Sequence, residues 1–410
     1  MAYNAEFWRF AFTIIVALYH LEIFYQRKLM PLGTAAVEFF FIIAGFTIAM
    51  SAARRMEMGG VRELSARESR AIAVSYLKKK LVAIYPMLAV TLVLTIVIIP
   101  LAFPQTQMFQ GPPMMQGPSA SGFMTRLLGR IGALINSEWE WLFLVGSPVG
   151  YNDTLAVSAP LVPLWFLTHL LLVGYLYTFL VNRKYDLMMF LAPLIAVFGF
   201  IYFTLNSELI LDFYVKMGLF NAGAVRALYQ MALGLTAYQI YVFMKNRDWT
   251  LPGRILLQLL EVFAIYRYFS LTFRVPEVID SFRRIPYIFI IILLSFVNVT
   301  LLSNLLNRKF MEKLGKISLP IYLLHFPIAT VYWNVLFWSK MNRGMQSLPE
   351  IFQNSGGMTA WPMLRQIPIS IGDVLMYVPI VIIASVILHL SIAGIRALRR
   401  KRKREEVEAL

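Results

Sequence analysis

Ten apolar stretches, each about long enough to cross a bilayer, leave this chain of 410 residues little choice of fold. They fall near residues 7–25, 34–53, 81–103, 161–182, 186–205, 221–244, 255–272, 286–306, 317–338 and 368–393. Hydrocarbon holds no water to bond the backbone, so spans of this length are helices. The predicted fold class is therefore all-α, a polytopic transmembrane helix bundle of about ten spans. Composition agrees: 59% of residues are hydrophobic and only 15% charged, too apolar for a soluble domain of this size.

Charge sets the orientation. Arg54–Arg55 with Lys78–Lys80, Arg183–Lys184, Lys245 with Arg247, Arg308–Lys309 and the run at 396–404 all fall on one side of the ten-span path. Basic loops beside spans mark the cytoplasm, so both termini are expected inside. Arg27, Lys28, Arg274, Arg283 and Arg284 are the basic residues this topology puts outside. The formal net charge of +16 is thus a signature of membrane orientation, and nucleic acid is not an expected partner. Residues 1–395 read as one transmembrane domain and 396–410 as a basic cytoplasmic tail, with no extra soluble esterase-like domain. The first span is expected to stay as an anchor, since no small-residue cleavage site follows it convincingly.

Cysteine is absent, which removes disulfides, thiolate metal sites and a cysteine acyl-enzyme. Four histidines make a weak case for zinc, so neither a metal nor a tightly bound cofactor is expected. No P-loop, Gly-rich dinucleotide motif or internal repeat is present. Two Pro/Gly-bearing outer segments break the helical rhythm, 104–122 and 339–365, and 124–145 after the first reads as an amphipathic surface stretch.

Within this apolar frame the ionisable residues stand out, because a charge in hydrocarbon persists mainly where it faces a bundle interior or a watery cavity. Arg9 and His20 lie eleven residues apart in the first span, about three helical turns, so they share a face with roughly 16 Å between them. Glu38 opens the second span at what counting from the outer ends makes a similar depth, and is expected to hydrogen-bond His20. A carboxylate on one imidazole nitrogen fixes the tautomer and raises the basicity of the other, which suits a general base; a purely structural His–Glu pair is the other reading. His325 and His169 sit mid-span in apolar runs and either meet substrate or merely pack. The basic stretch 54–80 fits either anionic lipid headgroups or a phosphorylated cytoplasmic ligand. The residues alone leave three function classes open: an enzyme, a secondary transporter or flippase in which the buried Arg, His and Glu form a relay, and a structural or regulatory membrane subunit whose polar groups only pack.

Five motifs, in order, resemble the acyltransferase-3 family of integral membrane acyltransferases, over the chain from the first span to about residue 335. Arg9 and His20 match its Arg-x10-His pair. VEFFFIIAGF at 37–46 is similar to V-D-x-F-F-x-x-S-G-F, with Glu38 for the acid and Ala44 for the serine. YLKKKLVAIYP at 76–86 resembles its basic segment, with Lys79 and Lys80 in place of arginines and Ala83 where a third often stands. LWFL at 164–167 resembles its Trp-containing span, with His169 following, and LGKISLPIYLLHFPI at 314–328 is close to L-G-x-x-S-x-x-I-Y-L-x-H-x-P.

The resemblance implies a bacterial cytoplasmic-membrane enzyme that transfers an acyl group, usually acetyl, from cytoplasmic acyl-coenzyme A to a hydroxyl of an extracytoplasmic or lipid-linked carbohydrate. The acyl group goes either directly to the glycan or by way of a separate extracytoplasmic acceptor protein. The expected roles follow: His20 and Glu38 catalytic; Arg9, Lys79, Lys80, Arg54 and Arg55 binding the donor; Trp165, His169, Ser318, Tyr322 and His325 lining the substrate site.

Overall fold

The computed structural model describes residues 3–22, 30, 33–59, 63–95, 164–206, 216–218, 220–273, 282–344 and 370–408. The segments predicted at 104–122 and 124–145 lie outside them, as does most of 339–365. Each of the ten apolar windows coincides at least in part with a helix: α1 (Tyr3–Glu22), α2 (Ala36–Gly59), α3 (Ala66–Val93), α4 (Leu164–Arg183), α5 (Tyr185–Asn206), α6 (Ala222–Lys245), α7 (Leu251–Thr272), α8 (Ile285–Val297) with α9 (Leu301–Leu306), α10 (Lys309–Gly344) and α11 (Ile371–Glu408). By length and composition six are able to cross a membrane: α2, α4, α5, α7, and residues 309–332 and 371–399 of α10 and α11. The protein is an all-α membrane helix bundle; a two-residue antiparallel pairing of Lys216–Met217 with Phe220–Asn221 only turns the chain into α6.

Local signals explain the boundaries. Helix α3 starts at a capping box: Ser65 accepts from the Glu68 backbone N–H while the Glu68 carboxylate takes the Ser65 N–H at 2.9 Å, reciprocal satisfaction of two orphan donors. The basic stretch is thus helical from residue 66 and continuous with the apolar run that follows it. The window at 286–306 is split, because Asn298 takes a left-handed conformation (φ 55°) and closes α8, and the Thr300 hydroxyl caps α9.

Packing follows the sequence of small residues. Helix α1 lies along α10, α2 along α6, α5 on α6, α3 on α4, and α10 against α11. At the α2–α6 crossing Gly45 lies on the Met231 backbone and Gly234 on that of Ile42, the close approach small residues permit in membrane helices. Between α1 and α2, Gly33 fits against Ile15 and Tyr19, and the Phe12 and Phe39 rings stack at 4.4 Å. These contacts set the depth of α2 against α1. Gly45→Leu would drive a side chain into backbone and is expected to destabilise the protein by about 1–3 kcal/mol or more, read as a lowered melting temperature in nanodiscs with Ala44→Leu as the control.

Candidate functional site

His20, in the last turn of α1, meets His325 of α10. Its Nδ1 lies 2.9 Å from the Val16 carbonyl and 3.1 Å from His325 Nε2. His325 Nδ1 in turn lies 2.6 Å from the Tyr322 carbonyl. An imidazole nitrogen facing a carbonyl must carry the proton, so His325 is Nδ1–H and offers a lone pair at Nε2. His20 Nδ1 then faces two acceptors and carries its own proton, which leaves His20 Nε2 as the free lone pair. From α11 the Tyr377 hydroxyl donates to the His325 carbonyl at 2.8 Å and reaches the Ala17 carbonyl at 3.5 Å, so three helices hold the pair. His325 is fully buried while His20 keeps part of its surface open.

Glu38 is elsewhere, and the expected His20–Glu38 bond is not formed. The stack of Phe39 on Phe12 places Glu38 about seven residues below His20 along α1, a rise of about 10 Å; equal counting from the outer ends fails because α2 begins deeper than α1 ends. Glu38 Oε1 instead accepts from Arg226 Nη2, both side chains being buried. Arg226 escaped sequence reasoning because α6 carries it inside an otherwise apolar window; an unpaired arginine in such a window was itself the signal. The Arg226 guanidinium lies over the Trp165 ring, 5.0 Å from its centroid, and the Arg284 charge acts on Glu38 from the start of α8.

Aromatic rings join these two groups. Trp165 meets Phe166 at 6.3 Å, Phe166 meets Tyr322 at 5.4 Å, Tyr322 meets His325 at 5.6 Å and His325 meets His20 at 4.8 Å. Trp165, Tyr322 and His325, each expected to line a substrate site, thus form one wall. His169 stands beside it, 3.0 Å from the Asn221 amide oxygen and 2.6 Å from the Trp165 carbonyl. Ser318 bonds back to the Leu314 carbonyl at 3.4 Å within α10 and is not joined to the wall.

The basic residues gather at the other end. Arg9 is bound to Glu6 at 3.0 Å, and Glu6 packs over Gly315 of α10. Lys80 lies 5.8 Å above the Tyr76 ring and feels the charges of both Arg9 and Glu6. Its surface is open although protein atoms stand around it. Burial, then the neighbouring Arg9, lower its pKa to about 8, against the opposing pull of Glu6. Arg55 has Nε and Nη2 buried with no hydrogen-bond partner among the described residues, while Arg54 and Lys79 are exposed. The Arg396 guanidinium donates to the Val82 carbonyl at 2.9 Å, tying α3 to the far end of α11.

Among the described residues no cluster of histidine and carboxylates could hold a metal ion. Removing one member of the Glu38–Arg226 pair strands a buried charge. Arg226→Met is expected to cost about 3–5 kcal/mol, and Arg226→Met with Glu38→Met close to nothing, as thermal unfolding in nanodiscs would show. In comparison with known proteins, the acyltransferase-3 family model, an acyltransferase domain, matches residues 3–392. No curated protein and no solved structure matches the chain.

Proposed function

The chain belongs to the acyltransferase-3 family, and on that premise we propose that it moves an acyl group, acetyl foremost, from cytoplasmic acyl-coenzyme A to a hydroxyl of an extracytoplasmic or lipid-linked glycan. Family membership and the apolar helices make it a multi-pass membrane acyltransferase. The observation that carries the finer reading is the His20–His325 contact, which leaves one basic nitrogen on a partly open side chain.

In the proposed step the acceptor hydroxyl gives its proton to His20 Nε2 as its oxygen attacks the thioester carbonyl. The C–O bond forms, the C–S bond breaks, and the coenzyme A thiolate leaves with the proton returned from His20, giving an ester and a free thiol. While His20 is an imidazolium, its Nδ1–H points at the Val16 carbonyl and the His325 lone pair, acceptors that favour the charged form. His325 is thus a positioning residue. The role expected of Glu38 as the partner of His20 passes to it.

For the donor, the neighbouring Arg9 and Lys80 and the unbonded nitrogens of Arg55 support a phosphate-bearing ligand, since buried guanidinium N–H groups gain most from an anion. Arg54 and Lys79 would add long-range attraction at the mouth. The pantetheine arm is of the same order as the ~16 Å rise from Arg9 to His20, so the thioester would reach His20 with its phosphates still held. The transporter alternative has nothing comparable in its favour beyond the buried charges themselves.

His20→Ala is expected to lower turnover of acetyl-coenzyme A with glycan by about 10²–10⁴-fold, or roughly 3–5 kcal/mol, with donor affinity retained in calorimetry. His325→Gln, whose amide oxygen still accepts from His20, should keep more activity than His325→Phe, an ordering a merely structural role would not produce. Because Lys80 loses its charge as pH rises through about 8, donor affinity should fall over that range in the native protein and stay flatter in Lys80→Arg; a flat native profile would remove Lys80 from the donor site.

A further inference from the structure

The buried Glu38–Arg226 pair is incompletely bonded. Arg226 uses Nη2 on Glu38 Oε1, but Arg226 Nε and Glu38 Oε2 are both buried with no hydrogen-bond partner among the described residues. One helical turn further along α6, Gln230 donates to the Tyr229 hydroxyl at 3.0 Å, while its own Oε1 is likewise buried and unbonded. Tyr229 lies within electrostatic reach of both Glu38 and Arg226, so the three orphan atoms belong to one polar neighbourhood. Glu38 and Gln230 are fully buried and Arg226 is 1% exposed. Orphan polar atoms of this kind are rare in folded proteins and call for an explanation, whether strain, a functional role or a bound group.

The chemistry of the gap defines its occupant. An N–H donor beside a carboxylate acceptor complements a hydroxyl, which accepts from the first and donates to the second. The Arg226 and Arg284 charges, both within reach of Glu38, disfavour a cation there. A second hydroxyl on the adjoining carbon would have Gln230 Oε1 to donate to. Trp165, whose ring carries the Arg226 guanidinium at 5.0 Å, is only half-buried and supplies an aromatic face of the sort that packs on the C–H side of a sugar ring. The same Trp165 begins the line of rings that ends at His20.

We infer that Glu38, Arg226 and Gln230 form a hydroxyl-binding subsite for the acceptor, separate from the reacting centre, and that Trp165 is its platform. This rests on the reading of the chain as a glycan acyltransferase. The offset of about 10 Å along α1 between the Glu38 level and His20 exceeds one sugar ring, so the bound unit is not the one acylated. The acceptor is therefore an oligosaccharide or polymer, gripped at one residue and acylated at another.

Ordered water has the same hydrogen-bonding chemistry as the proposed hydroxyls, and the test separates the two. Membrane vesicles from the source cells would carry either the native protein, Glu38→Met with Arg226→Met, or Gln230→Met, and be supplied with labelled acetyl-coenzyme A. The double variant removes the bonded pair together and leaves the Arg284 charge that Glu38 also faced, and thermal unfolding and donor calorimetry establish that it is folded and binds donor. Label in the glycan fraction is expected to fall at least tenfold in the double variant and severalfold in Gln230→Met, and to recover when purified glycan from the same vesicles is added in tenfold excess. Undiminished labelling would overturn the subsite and leave water in the gap. A loss that excess glycan does not relieve would overturn it too, assigning the pair to positioning of the helices. Absence of label with the native protein would instead sink the glycan reading on which the inference stands. If the double variant does not fold, Gln230→Met decides by the same two criteria.

Discussion

Hydrocarbon gives a polar side chain no partner but another helix, and this protein's buried polar groups are arranged under that constraint. Arg226 on α6 is held by Glu38 on α2, Glu261 on α7 by the Thr300 and Ser303 hydroxyls at 2.5 and 2.7 Å, and His20 on α1 by His325 on α10. Each pair joins two helices, and each fixes depth as well as proximity. The glycines at the α2–α6 crossing let the backbones close until the first of these pairs can meet.

The same constraint separates the chemistry into levels. Arg9 and Lys80 lie within reach of each other on α1 and α3, and Arg55 stands nearer the basic end of α2. The Glu38–Arg226 pair stands higher, beside Trp165, and the histidine pair higher again along α1. Such an order fits the proposed reaction between a cytoplasmic donor and an outer acceptor, with charge for the phosphates at one end and His20 at the other. Around His20 stand a carbonyl, another imidazole and the Tyr19 and Phe326 rings, with no carboxylate bonded to it among the described residues.

Helix positions were legible in the sequence because a bilayer enforces length, and ten windows found ten helical places. The shared face of Arg9 and His20 was also legible, since helical rotation is fixed. What one helix cannot tell is its depth against the next. Counting from loop ends put Glu38 level with His20, whereas the Phe12–Phe39 stack shows α2 starting deeper. His325 carried the resemblance to the family but not its partner, because the His20–His325 contact spans 305 residues. Arg226 went unremarked in an apolar run where its presence already required a buried counter-charge. The split of α8 from α9 at Asn298 was hidden by an apolar window that continues across the break.

The central claim is that His20 carries its proton on Nδ1 and keeps Nε2 free as the base. With four histidines in the chain, nitrogen NMR of histidine-labelled protein in nanodiscs, assigned by His20→Gln and His325→Gln, would read this state directly. The account predicts a neutral His20 protonated at Nδ1 and a hydrogen-bond coupling from that nitrogen to His325 Nε2. A His20 protonated at Nε2, with its lone pair turned toward His325, would contradict it.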